Sequence, residues 1–403
     1  MFYRELAEEA EKYLEVLQGI RRDLHQIPEF ALDLPKTRER ILASIHGLGD
    51  IHLSERQSSI ALLIRGEQPG PTVLLRADMD ALAVQEDTGL EWASTNGYMH
   101  ACGHDLHMTM GIGAAHLIRT HADKLKGNVV IWFQPGEEGH GGADIMLEEN
   151  MHMISGDKPI AAYGLHVTSA WQPPRVFGGR TGSLMASASD MIVTFKGRGG
   201  HGSSPWMSKD PISAMNEAIS GLQTMITKQI NVFDPVVINV GWIKAGDDHT
   251  TNVIPEVASF GATIRTFSPG MLENLRGITT RYLDGIAAAY GVTYEMEFGK
   301  LATEVVMNDA VATERVRRIV KDVFGEDRWF EWPHPIAGAE DFGSIVREIP
   351  GAFIFLGASP VGSDWQNEPP NHSNHAVFDD AVCPSGAALL ASLAFDVLEE
   401  ASH

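Results

Sequence analysis

The stretch WQPPRVFGGRTGSLMAS, residues 171–187, divides the chain. Its prolines and glycines interrupt regular structure, and the patterns on its two sides differ, so it reads as a hinge. Downstream, MIVTFKG (191–197) alternates apolar and polar residues as a half-buried strand does. DPISAMNEAISGLQTMITKQI (210–230) reads as a helix with Asp210 as N-cap and Pro211 at the first helical position. VVINVGWIKAG (236–246) and EVASFGATIRTF (256–267) are strands, MLENLRGITTRYLDGIAAAY (271–290) is a helix stopped by Gly291, and VTYEMEF (292–298) alternates again. The order β-α-β-β-α-β is the ferredoxin-like arrangement. It predicts a smaller inserted domain over 186–300.

The flanking segments read as one α/β domain. A helix is predicted over 3–26, and TVLLRAD (72–78), NVVIWFQ (128–134) and PIAAYGLHV (159–167) are buried strands. HDLHMTMGIGAAHLIRTHAD (104–123) is a helix. A helix over 309–325, a strand at AFIFLG (352–357) and a last helix over 384–400 resume the pattern. The larger domain is therefore expected to be discontinuous, 1–183 plus 302–403, with a mostly parallel sheet. Functional residues of such sheets gather at strand carboxyl ends. Asp78, Glu137, Glu138 and His166 all fall at or just past such ends.

With 403 residues the chain can form two ordinary cores. Its net charge of −22 argues against binding nucleic acid or an anionic membrane surface. No apolar run approaches the roughly 20 residues that span a bilayer, and the N-terminal stretch has no signal-peptide core, which points to the cytoplasm. Two cysteines, Cys102 and Cys383, do not make a disulfide framework at this length.

Cys102 stands apart because it sits in HACGHDLH (100–107). Cys102 and His104 cannot share a helix face, but they can converge from a loop, with Gly103 allowing a sharp bend and Asp105 suited to the helix N-cap. FQPGEEGHGGA (133–143) places two glutamates in a Gly-rich turn, where one can bind a cation while the other faces substrate. GLHV (164–167) ends a strand in His166, and NHSNHAVFDD (371–380) offers His372 and His375. Taken singly, each has an ordinary structural explanation: a solvated glutamate pair, a hydrogen-bonded histidine, a small buried cysteine. Together they supply the N, O and S donors of a catalytic metal site. Asp78 is expected to orient His104 from behind, and Arg76 to be an ion-pair partner.

RADMDAL (76–82), HACGHDLHM (100–108), FQPGEEGHGGA (133–143), GLHV (164–167), GRGGHGSSP (197–205), NVIPE (252–256), AEDFG (339–343) and NHSNHAVFDD (371–380) resemble the aminoacylase-like family of dinuclear metallopeptidases. Within it they are similar to the amidohydrolase branch, which includes hippurate hydrolases, N-acyl-amino-acid deacetylases and auxin-conjugate hydrolases. The motifs occur in the family's order and span most of the chain.

The resemblance implies a catalytic domain interrupted by a lid or dimerisation domain, and a homodimer or homotetramer formed through that lid. It implies two divalent ions, zinc or manganese, with cobalt or nickel as further options. Cys102 would bridge them, Glu138 and His372 would complete one site, and His104 and His166 the other. Glu137 resembles the general base, and His201 the lid histidine that reaches a partner's site. Asn252 and Arg265 resemble substrate-contacting lid residues. One position departs: Asn374 stands where the family usually has proline after His-Ser, which leaves His375 as the alternative ligand. The implied reaction is hydrolysis of N-acyl-L-amino acids to a carboxylate and a free amino acid. A dipeptidase or carboxypeptidase would use the same chemistry, and a metal-free cysteine hydrolase using Cys102 is the contrasting class.

Overall fold

The computed structural model describes residues 1–299 and 303–402, and the chain separates into two compact units. The larger comprises Met1–Leu184, Val306–His334 and Asp341–His403; the smaller comprises Met185–Val305 and Pro335–Glu340. The first division falls between Leu184 and Met185. The second falls between Val305 and Val306; the position expected for it, between 300 and 302, lies outside the described residues. The short segment 335–340 was not foreseen as part of the smaller unit.

The larger unit is built on an eight-stranded sheet. Its strands run in the order Asp50–Leu53, Ile60–Arg65, Lys126–Gln134, Gln68–Asp78, Ala161–Thr168, Gly351–Gly357, Phe177–Gly179, Trp329–Glu331. The four from Lys126–Gln134 to Gly351–Gly357 are mutually parallel, and antiparallel pairings flank them on both sides. Ala161–Thr168 and Gly351–Gly357 are buried at every position, in keeping with their mostly apolar sequence.

Two helices, His104–Thr120 and Cys383–Glu400, pack closely in the same core. Small residues permit this approach: a Cβ on Gly386 would lie 2.2 Å from Met110 Sδ, and one on Gly113 would lie 2.8 Å from Ala387 Cβ. The stretch Asp380–Glu400 is long and apolar enough to cross a membrane, contrary to the sequence expectation, but 89% of it is buried within the protein. The N-terminal helix also differs from expectation. It breaks at Tyr13 into Phe2–Lys12 and Leu14–His25.

The smaller unit has its own core. Its antiparallel sheet runs Val236–Ala245, Val257–Thr266, Ser187–Lys196, Thr293–Phe298, so the first strand in sequence lies between the third and fourth. That is the ferredoxin-like order. Alternation decides the faces: Met191, Val193, Phe195, Phe260 and Ile264 are buried in one core with residues of the helices Pro211–Gln229 and Met271–Tyr290. Asp210 caps the first helix by accepting from the Ile212 N–H, and Gly291 ends the second at φ 62°.

Candidate metal centre

The strand carboxyl ends of the larger unit gather the predicted donors. Cys102, His104 and His166 offer ligand atoms within 4.8 Å of one another; so do Cys102, Glu138 and His372, and so do His104, Glu137 and Glu138. The Cys102 sulfur is common to the first two triads. It lies 3.4 Å from His166 Nε2 and 3.2 Å from His372 Nε2, while His372 Nε2 is 3.2 Å from Glu138 Oε1. His104 Nε2 stands 4.0 Å from Glu137 Oε2 and 4.0 Å from Glu138 Oε1.

Local backbone demands explain how the donors converge. Gly103 is left-handed at φ 84°, and a Cβ there would lie 2.3 Å from Val167 Cγ2, so only glycine lets the loop turn into the helix at His104. Gly103 thereby takes the N-cap position expected for Asp105. Asp105 is instead fully buried in the first turn, facing Arg21 and His25. His372 also adopts a left-handed φ of 73°, a strained conformation for a residue with a Cβ. It is held by its N–H to the Ala101 carbonyl and by Asn371. The Asn371 side chain donates to the Cys102 and Val167 carbonyls and accepts from the Ser169 N–H. His375, the alternative ligand, is exposed, and its Nδ1 is 2.6 Å from the Asp87 carbonyl.

Asp78 makes its closest contacts with residues other than His104. Its carboxylate pairs with Arg76 and accepts from His107 Nδ1 at 2.5 Å; His104 Nδ1 is 3.8 Å away. His107 in turn accepts the Val167 N–H through Nε2. The aspartate with the more direct part is Asp80, which sequence reading passed over. Its two oxygens accept from the Glu137 and Glu138 N–H groups, each at 3.0 Å, and so fix the turn bearing both glutamates. Its signal was the i+2 spacing from Asp78, which leaves both carboxylates at one strand end.

Electrostatics suit a cation. His166 donates Nδ1–H to the Val167 carbonyl at 2.8 Å, which leaves the Nε2 lone pair facing sulfur. Burial, then the neighbouring His107, pushes the His166 pKa well down, so the ring is neutral. His372 is pushed up to about 10 by hydrogen bonding to Cys102 and then Glu138. Burial opposes charge on His104, but the carboxylate of Asp78, followed by Asp80 and the Cys102 thiol, drives its pKa up. Both His104 ring nitrogens are buried without a hydrogen-bond partner among the described residues. The anionic neighbours that favour a proton on His104 and His372 equally favour a divalent ion in its place, and a sulfur, imidazoles and a carboxylate form a donor set that fits divalent transition ions.

In the smaller unit, His201 pairs with Val253 across a short two-stranded sheet, which places Asn252 beside it; the Gly202 N–H also donates to the Asn252 carbonyl. His201 is exposed and accepts the Ser203 N–H at Nδ1. Its Nε2 is thereby left as the N–H donor. Arg265 lies on the strand Val257–Thr266, with Nη1 donating to Thr263 Oγ1 and the Ile264 carbonyl.

The family model described as Peptidase family M20/M25/M40 matches residues 74–396. The chain belongs to that family. Consistent with M20 membership, it is 35% identical to an N-acetyldiaminopimelate deacetylase of Bacillus cytotoxicus, over 90% of this chain and 94% of the relative. It is 33% identical to thermostable carboxypeptidase 1 of Saccharolobus solfataricus, over 93% of each. The solved structure of a dinuclear metal binding peptidase of the M20 family from Bacillus subtilis matches with a TM-score of 0.80 and 29% identity, covering 96% of this chain and 99% of that one. The protein is thus a metal-dependent M20 hydrolase of amide or peptide bonds.

Proposed function

We propose that this M20 hydrolase is a cytoplasmic amidohydrolase that cleaves N-acyl-L-amino acids to a carboxylate and a free amino acid. The observation that carries the reading is the Cys102 sulfur shared by two donor triads, with the Glu137 carboxylate alongside. Cys102 would bridge two ions, with Glu138 and His372 on one and His104 and His166 on the other. The thiolate favours zinc, and the harder donors accept manganese, cobalt or nickel. When bound, such ions polarise an amide carbonyl and bring the pKa of water down to about 7.

Glu137 takes the proton of the attacking water and delivers it to the leaving amine. His201 donates Nε2–H to the developing oxyanion, a contribution of about 3 kcal/mol for donors of this kind. Asn252 holds the substrate, and the Arg265 guanidinium pairs with the α-carboxylate of the amino-acid half. That carboxylate requirement fits N-acyl amino acids, and the N-acetyldiaminopimelate deacetylase relative supports the same class.

A substrate panel on the metal-reconstituted enzyme tests this. N-acetyl- and N-benzoyl-amino acids, with N-acetyldiaminopimelate among them, should release free amino acid faster than dipeptides do. The 33% identical carboxypeptidase supports a second reading, and faster cleavage of dipeptides or C-terminal residues would establish it in place of the first.

The smaller unit would also join two copies. Its edge strand Val236–Ala245 exposes Val237, Trp242 and Ile243, and Val232 and Phe233 extend that apolar strip. An apolar sheet edge of this kind is a template for pairing with another chain. In a dimer so formed, His201 serves the partner's site. Co-expressing His201→Ala with Glu137→Gln, each inactive alone, should then recover about a quarter of parental activity. Half of the dimers are mixed, and each mixed dimer holds one intact site. No recovery would rule out a site completed by the partner.

A further inference from the structure

His104 differs from the other proposed histidine ligand of its ion. The His166 ring is fixed by its own hydrogen bond to a carbonyl, whereas neither His104 nitrogen has a hydrogen-bond partner among the described residues, and Asp78 and Asp80 stand 3.8 and 3.7 Å from Nδ1. The placement of the His104 ring therefore depends on its backbone. Gly103, the preceding residue, brings no side-chain cap to the helix start. The following residue, Asp105, is anchored.

Asp105 Oδ2 lies 2.7 Å from His25 Nδ1 and 2.8 Å from Arg21 Nε, and all three side chains are buried. The Arg21 guanidinium sits 4.0 Å from the centre of the Trp92 ring. On the other side, His25 Nε2 is 3.2 Å from both Glu86 oxygens. Glu86 is itself fixed, accepting from the Ser94 N–H at 2.6 Å and the Thr88 hydroxyl at 2.5 Å. Two cationic and two anionic groups thus alternate, Glu86–His25–Asp105–Arg21, and tie the helix Leu14–His25 and the 86–94 loop to the first turn of the helix that starts at His104. A buried carboxylate with two such partners resists displacement, because moving it would leave an uncompensated charge in the core.

We propose that His25, through its Nδ1 contact with Asp105, is a positioning residue for the His104 end of the metal centre. The proposal rests on the ligand assignment given under Proposed function. It distinguishes the two nitrogens of His25: the Nδ1 side sets His104, and the Nε2 side only completes the tie to Glu86.

Asparagine at position 25 places an amide near the Nδ1 position, and glutamine places one near Nε2. The metal-free chains are titrated with Zn²⁺ by calorimetry, and their melting temperatures are recorded. The parent should take two ions. His25→Gln should weaken one of the two by about 10–100-fold, the range for lost outer contacts to a ligand, and leave the other unchanged. His25→Asn should bind both ions as the parent does. Asp105→Asn, which disturbs the same contact from its other end, should repeat the selective loss and decides the matter if His25→Gln does not fold. The proposal is overturned if glutamine and asparagine behave alike, or if both ions weaken together in step with melting temperature. A parent that takes fewer than two ions would instead defeat the two-ion reading itself.

Discussion

Glu137→Gln should retain fold and bound metal and lose about 10²–10⁴-fold in kcat, the usual worth of a positioned general base. The substitution preserves shape in a site with little room, since Glu137 is 9% exposed. The turn that presents it is held through its backbone N–H by Asp80, a contact the substitution leaves in place. A neutral amide cannot accept the proton that the attacking water gives up. Because the loss falls on the transition state, kcat and kcat/KM should drop together with KM little changed. Parental turnover in this variant would refute the assignment of Glu137 as base.

Cys102→Ala should be at least as damaging, but through metal content. The sulfur is the one atom common to the two triads that include His166 and His372, so its removal weakens both ion positions at once. Cys102 is otherwise a small, 6% exposed residue, and alanine should be tolerated by the fold. Elemental analysis after dialysis should find fewer than two ions per chain, with turnover near the detection limit. The parent treated with chelator should also fall silent and recover on adding Zn²⁺ or Mn²⁺. A chain that stays active under chelation yet dies on Cys102→Ala would be a cysteine hydrolase.

Much of this architecture was legible because it is local. The Asp210–Pro211 helix start, the strand alternation of 191–197 and the stop at Gly291 each depend on residues adjacent in sequence, and the ferredoxin-like order followed from them. The donor cluster was legible for a related reason: every donor but His372 lies close to a strand end or a helix start, and the sheet brings such ends together. What failed depended on distant partners. Asp105 has the chemistry of a cap, but Arg21 and His25 draw it into the core, and a left-handed Gly103 takes the cap position. For Asp78, expected to orient His104, the helix also presents His107 at hydrogen-bonding distance. Nothing adjacent to Asn371 in sequence points to its role, and only the folded chain shows it fastening three segments around Cys102.

The place of Gly351–Gly357 in the sheet has a consequence for biosynthesis. This strand lies between Ala161–Thr168 and Phe177–Gly179, both made far earlier. At about 5–20 residues per second, a nascent chain holds Ala161–Thr168 as an open sheet edge for many seconds before the strand that covers it emerges. His372 and the core helix Cys383–Glu400 follow later still. The proposed ligand set is therefore complete only once His372 has been made, and until Gly351–Gly357 emerges the Ala161–Thr168 edge is open to pairing with a neighbouring chain.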